Sequence, residues 1–240
     1  ESSTDPNELN KFSFHDLSNN ELLVREYGQS DTQCIIFLPG QHAGINHYEN
    51  EMFSMFLRIG FKVFSISYPG QDGARGQVVT IYSLTSLISK AIQAISLTCP
   101  VNSLIVYGRS LGATVAAFSV SNVNVSGLIL EGVSPSLSIA ISNHLKSKWY
   151  LRPLALLPIS MLLPNNYVLG ESLNTLNDTP VVIFQGDSDI KTPLNQLLKS
   201  WNYHNNITLK IVKNGNHSNV YLKAKNDIIT VATAMAESHD

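Results

Sequence analysis

Charge is scarce in this chain: 14% of its 240 residues are Asp, Glu, Lys or Arg, and the formal net charge is −2. No basic cluster offsets that balance, so the sequence offers no electrostatic footprint for nucleic acid. Cysteine is nearly missing. Cys34 and Cys99 are too few for a disulfide framework or a zinc site. Two thiols are the expected state, with a bridge open only to an exported chain. Long apolar runs are absent too: the longest, Leu154 to Leu163, is about half a membrane span and contains Pro158. No spanning helix is expected. The histidines are scattered without ligand spacing, and no glycine-rich phosphate cradle occurs, so neither a metal nor another cofactor is expected. The first residue is Glu1 and not Met, which fits a removed signal peptide or a trimmed sequence. Exported and cytoplasmic locations both stay open. Four Asn-x-Ser/Thr triplets, at Asn124, Asn177, Asn206 and Asn216, are read as composition.

What is present is apolar patterning. A 44% apolar content over this length suits one large α/β domain spanning 1–240. Lys11 to His15 and Glu21 to Tyr27 read as a hairpin around Ser18-Asn19-Asn20. Strands and helices then alternate. Gln33–Leu38, Phe61–Ser67, Ser103–Arg109, Ser126–Leu130, Pro180–Phe184 and Ile207–Val212 are strand-like, rich in Ile, Val and Leu. Between them, Asn46–Arg58, Thr80–Ser96, Leu111–Ser121 and Leu194–Tyr203 read as helices, and Val220–Met235 closes the chain as another. Continuously apolar strands separated by helices imply a mostly parallel sheet covered on both faces. Residues 134–172 interrupt the alternation as a lid-like excursion.

The most informative stretch is Val106-Tyr107-Gly108-Arg109-Ser110-Leu111-Gly112. A strand runs into Gly-x-Ser-x-Gly and a helix follows at once, which places Ser110 on a tight reversal with its hydroxyl outward. Glycine on either side allows the close crossing. The helix N-terminus favours negative charge developing above that hydroxyl. A serine hydroxyl needs a base, and the base needs an acid to orient it. Such groups gather beyond the carboxyl ends of the strands. The segment after Phe184 supplies Asp187 and Asp189, and the segment after Val212 supplies His217. Glu131, at the end of another strand, is a further candidate acid. Arg109 is read as a structural ion-pair or packing residue.

These features resemble the α/β-hydrolase superfamily over nearly the whole chain, from the leading hairpin to the helix after His217. Within it, Tyr-Gly-Arg-Ser-Leu-Gly is similar to compact serine hydrolases related to α/β-hydrolase-domain depalmitoylases and prolyl-oligopeptidase-like enzymes. The resemblance implies a twisted, mostly parallel sheet of about eight strands. The family pattern Gly-x-x-Asp-x-x-x-Pro matches Gly186, Asp189 and Pro193 and selects Asp189 as the acid. It further implies Ser110 as nucleophile, His217 as base, and an oxyanion hole from the backbone N–H groups of Gln41 and Leu111. Where many relatives have His-Gly, this chain has Pro39-Gly40, a departure that bears on the packing of that loop.

The expected activity is cofactor-independent ester hydrolysis on a small-molecule or lipid-like apolar acyl substrate. Thioester and peptide cleavage are the alternatives on the same groups, and a catalytically inactive binding protein is the alternative of another class. His42, Trp149 and Tyr150 are candidate substrate contacts. The excursion serves as an apolar wall, a lipid-facing flap, or packing against the domain.

Overall fold

The computed structural model describes residues 8–30, 33–41, 44–78, 80–99, 103–121, 123–176, 178–200 and 204–237. The chain opens on an antiparallel hairpin, β1 (Glu8–His15) and β2 (Glu21–Tyr27). Then come β3 (Cys34–Leu38), the helical stretch α1 (Ile45–Tyr48) and α2 (Ser54–Arg58), and β4 (Lys62–Ser67). Next are α3 (Ile81–Ser96), β5 (Leu104–Arg109), α4 (Leu111–Ser119) and β6 (Gly127–Glu131). The excursion holds α5 (Leu137–Ser147), a 3₁₀ segment (Trp149–Leu156), α6 (Ile159–Leu162) and α7 (Leu169–Leu173). The chain continues with β7 (Val181–Gly186), α8 (Leu194–Lys199) and β8 (Ile207–Val212). It ends with α9 (Val220–Lys223) and α10 (Lys225–Glu237).

One eight-stranded sheet results, in the order β1-β2-β4-β3-β5-β6-β7-β8. Only the hairpin runs antiparallel to its neighbours; β4 through β8 pair in parallel. The strand sequences explain this. Every residue of β3, β5, β6 and β7 is buried, which requires helices on both faces. One face packs against α3, α4 and α7 through residues such as Leu84, Ile88, Val115 and Leu173. The other packs against α1, α2, α9 and α10 through Tyr48, Phe53, Phe56, Val220 and Ile228. At the outer edge, β8 is fully buried only at Ile207, and its other residues are half-buried or exposed, as suits a border strand.

Two elements depart from the sequence reading. Between α1 and α2, residues Glu49–Phe53 form a wider π-helical turn inside the expected helix. That turn carries Glu49 into the core, where its carboxylate accepts a hydrogen bond from the Tyr27 hydroxyl at 2.7 Å. The closing helix is interrupted at Ala224, although Ala224 N–H still reaches the Val220 carbonyl at 2.8 Å.

The thiol expectation is corrected outright. Cys34 and Cys99 form a disulfide with a Cα–Cα distance of 6.1 Å. Cys34 opens β3, Cys99 shortly precedes β5, and those strands are hydrogen-bonded neighbours. Adjacency in the sheet closes a sequence gap of 65 residues.

Candidate active site

The loop after β5 turns at Ser110, whose φ of 54° and ψ of −115° lie outside the regions a serine ordinarily occupies. Crowding around the turn enforces the flanking glycines. A Cβ on Gly108 would stand 2.3 Å from the Gly112 carbonyl oxygen, and one on Gly112 would stand 2.0 Å from that of Leu38. Strand, turn and helix thus meet at backbone contact. The Ser110 amide donates to the Glu131 carbonyl at 2.8 Å, which fixes the turn to β6.

The ends of β7 and β8 are joined in the same manner. A Cβ on Gly186 would lie 2.2 Å from the Gly215 carbonyl oxygen. Asp187 N–H donates to Val212 at 3.2 Å and Ser188 N–H to Gly215 at 3.0 Å. This pairing sets the loop bearing Asp189 against the loop bearing His217. The imidazole Nε2 then lies 2.9 Å from Ser110 Oγ, and Nδ1 lies 2.8 Å from Asp189 Oδ2. The carboxylate fixes the tautomer that fits: Nδ1–H donates to Asp189, leaving Nε2 to accept from the serine. Gly132, at φ +60°, passes beneath the ring, and a Cβ there would come within 3.3 Å of it.

Asp189 is only 3% exposed, and its lone pairs are nearly all used. Oδ1 accepts from the amides of Lys191 (2.8 Å) and Thr192 (3.0 Å), and Oδ2 accepts from the Thr192 hydroxyl at 2.7 Å. Burial pushes this carboxyl up, but the hydrogen bond from His217, its charge, and the Thr192 donors outweigh burial and hold it below the ordinary value. Gln185, fully buried, anchors Thr192 in turn by donating to its backbone carbonyl and hydroxyl. Thr192 and Gln185 were not legible as site residues. Thr192 falls at an unspecified position of the motif around Asp189, and no local pattern distinguishes it.

The other candidate acids are occupied elsewhere. Glu131 accepts from Arg109 Nε at 3.1 Å and from the Tyr107 hydroxyl at 2.7 Å. Asp187 is exposed and accepts from the Ser188 hydroxyl. Arg109 forms the expected ion pair and also reaches further. Its Nη1 donates to the Tyr48 hydroxyl at 2.9 Å and its Nη2 to the His217 carbonyl at 2.6 Å. The guanidinium stacks over the rings of Tyr48 and Tyr221, at 5.7 and 5.3 Å from their centroids. Burial opposes its charge, but Glu131 and Tyr48 more than offset that and keep it protonated. A buried cation therefore holds the histidine loop by its backbone.

The Pro39-Gly40 departure is accommodated. The buried Tyr68 hydroxyl donates to the Pro39 carbonyl at 2.8 Å, and Gln71 Nε2 donates to the Gln41 carbonyl at 3.0 Å. A Cβ on Gly40 would stand 3.4 Å from Ser110 Cβ, so this loop borders the serine. Leu111 is the first residue of α4, where a backbone N–H has no intrahelical acceptor. Trp149 and Tyr150 are both exposed, and their rings pack edge to face with centroids 5.9 Å apart. Neither takes part in the hydrogen bonds and ring contacts around Ser110. His42 lies outside the described residues. Among the described residues, no group of three or more His, Cys, Asp or Glu is placed to hold a metal ion, and no helix is long and apolar enough to cross a membrane.

No protein-family sequence model matches the chain. No curated protein sequence matches it either. Solved structures do. An α/β hydrolase, GrgF from Penicillium sp. sh18, superposes with a TM-score of 0.73 at 12% identity, covering 96% of this chain and 98% of that one. An esterase from Pyrococcus furiosus gives a TM-score of 0.74 at 14% identity over 97% and 94% of the two chains. A bromoperoxidase from Bacillus anthracis gives 0.67 at 14% identity over 93% and 99%. Sheet order, parallel pairing, helices on both faces and these full-length superpositions together establish that the chain has the α/β-hydrolase fold.

Proposed function

We propose that this protein is a serine hydrolase that cleaves carboxylic esters through an acyl-enzyme on Ser110. One observation carries the reading: an unbroken hydrogen-bonded series from Ser110 Oγ through His217 to buried Asp189. His217 Nε2 takes the hydroxyl proton as Ser110 Oγ attacks the ester carbonyl carbon. The tetrahedral oxyanion is received by the N–H groups of Gln41 and Leu111. The Ser110 amide itself is unavailable for that task, because it is committed to the Glu131 carbonyl. Collapse expels the alcohol, which takes the proton from His217. Water then repeats the sequence on the acyl-serine and restores the hydroxyl. Asp189 holds the imidazole and stabilises its cationic form without itself taking the proton.

The esterase among the structural neighbours supports an ester as substrate. The bromoperoxidase shows that the fold alone does not choose the reaction. The apolar character of segment 134–172, read as a lid-like excursion of a single domain, favours an apolar acyl group. A fluorophosphonate probe tests the assignment: wild type is expected to be labelled and Ser110→Ala to stay unlabelled. Equal labelling of the two would refute it.

A further inference from the structure

The segment between β6 and α7 has the composition of a core element and the exposure of a surface one. No residue from 137 to 166 is buried. Trp149, Leu156 and Met161 are 79%, 87% and 83% exposed, and Tyr150, Leu157 and Leu162 are exposed as well. Charge in this segment has one sign. No Asp or Glu occurs between Glu131 and Glu171, whereas Lys146, Lys148 and Arg152 are present and exposed. In a chain with a net charge of −2, that is a local excess of cation. None of the three is ion-paired with a described carboxylate. Arg152 Nε donates to the Lys146 carbonyl at 3.2 Å, which draws the cationic residues together at the end of α5. The segment also touches the candidate site, because Asn143 Nδ2 donates to the Lys191 carbonyl at 3.1 Å, two residues past Asp189.

We infer that this segment docks the protein on an anionic lipid surface. The exposed apolar side chains enter the interface, and Lys146, Lys148 and Arg152 meet the negative headgroups. Apolar area alone would serve a partner protein equally well. An acid-free cationic border beside exposed Trp, Leu and Met matches a medium that is apolar within and negative at its face. The inference goes beyond ester hydrolysis and does not require it.

The test uses Ser110→Ala protein, so that turnover plays no part. It is sedimented with vesicles of phosphatidylcholine alone and of phosphatidylcholine mixed with phosphatidylglycerol. Binding to the mixed vesicles alone is expected, weakening as salt is added. Adding Lys146→Gln, Lys148→Gln and Arg152→Gln together should weaken it on the order of a hundredfold, at about fivefold per cation. A second variant, Leu156→Ser with Met161→Ser, should weaken binding at unchanged charge. Absence of binding, equal binding to both vesicle types, or binding undiminished by both variants overturns the inference. So does a lipid-free dimer that Leu156→Ser with Met161→Ser disperses, since the patch would then belong to a second copy of the chain. Labelling of wild type by the fluorophosphonate probe is scored separately, so failure of the proposed activity is told apart from failure of docking.

Discussion

Asp189 sits where opposing influences meet. Burial disfavours its charge, yet His217 and Thr192 hold the carboxyl below its ordinary value of 3.8. A carboxyl lowered by folding adds stability that is present above its unfolded value and is lost as pH falls through the folded one. Asp189→Asn is therefore expected to cut turnover by about 10⁴-fold while the circular dichroism spectrum is retained. Urea titrations should show the variant less stable than wild type at neutral pH, with the gap closing in acid below the usual carboxylate range. A gap independent of pH would mean that ionisation of this group contributes nothing. The placement of Ser110 and His217 is legible because each follows a strand end in a distinctive local setting. Their supports were not. Thr192 and Gln185 act through short contacts that exist only after the turn beyond β7 forms, and Arg109 reaches the His217 carbonyl across 108 sequence positions.

At the scale of the element, helix boundaries rest on side-chain chemistry that the sequence states openly. Thr80 caps α3: its hydroxyl accepts from Ser83 N–H at 3.0 Å, and the Ser83 hydroxyl returns a bond to the Thr80 carbonyl at 2.9 Å. Thr80→Ala should cost about 1 kcal/mol, or about 3 °C in melting temperature for a chain of this size. An unchanged melting curve would show that packing of Leu84, Ile88 and Ile92 on the sheet holds the helix start without the cap. The parallel strands are legible to within a residue or two because β3, β5, β6 and β7 are apolar throughout, whereas β1 begins three residues before the expected Lys11. The π-helical turn at Glu49–Phe53 was hidden. Its driving contact, Glu49 with Tyr27, joins two distant elements, while the local apolar spacing still reads as ordinary helix. The interruption at Ala224 was hidden for a related reason, since apolar positions continue past it at helical intervals.

For the molecule as a whole, parallel topology decides what lies next to what. It gathers the loops after β3, β5, β7 and β8 at one edge, and it also pairs the two cysteines. Chain-entropy reasoning assigns a closed loop of this length roughly 4 kcal/mol. Reduction should lower the melting temperature accordingly, measured by calorimetry with and without a thiol reductant on the same sample. An unaltered transition would mean that β3, β4 and β5 are held by burial alone. Disulfides form and persist in oxidising environments.

The same bond has a mechanical consequence. Cys34 and Cys99 enclose β3, α1, α2, β4 and α3, so tension applied at the chain ends passes through the sulfur atoms and bypasses everything between them. Roughly 220 Å of contour, at about 3.4 Å per extended residue, stays hidden under load until the bridge is cut. Translocation through a narrow pore would meet a loop that cannot be straightened.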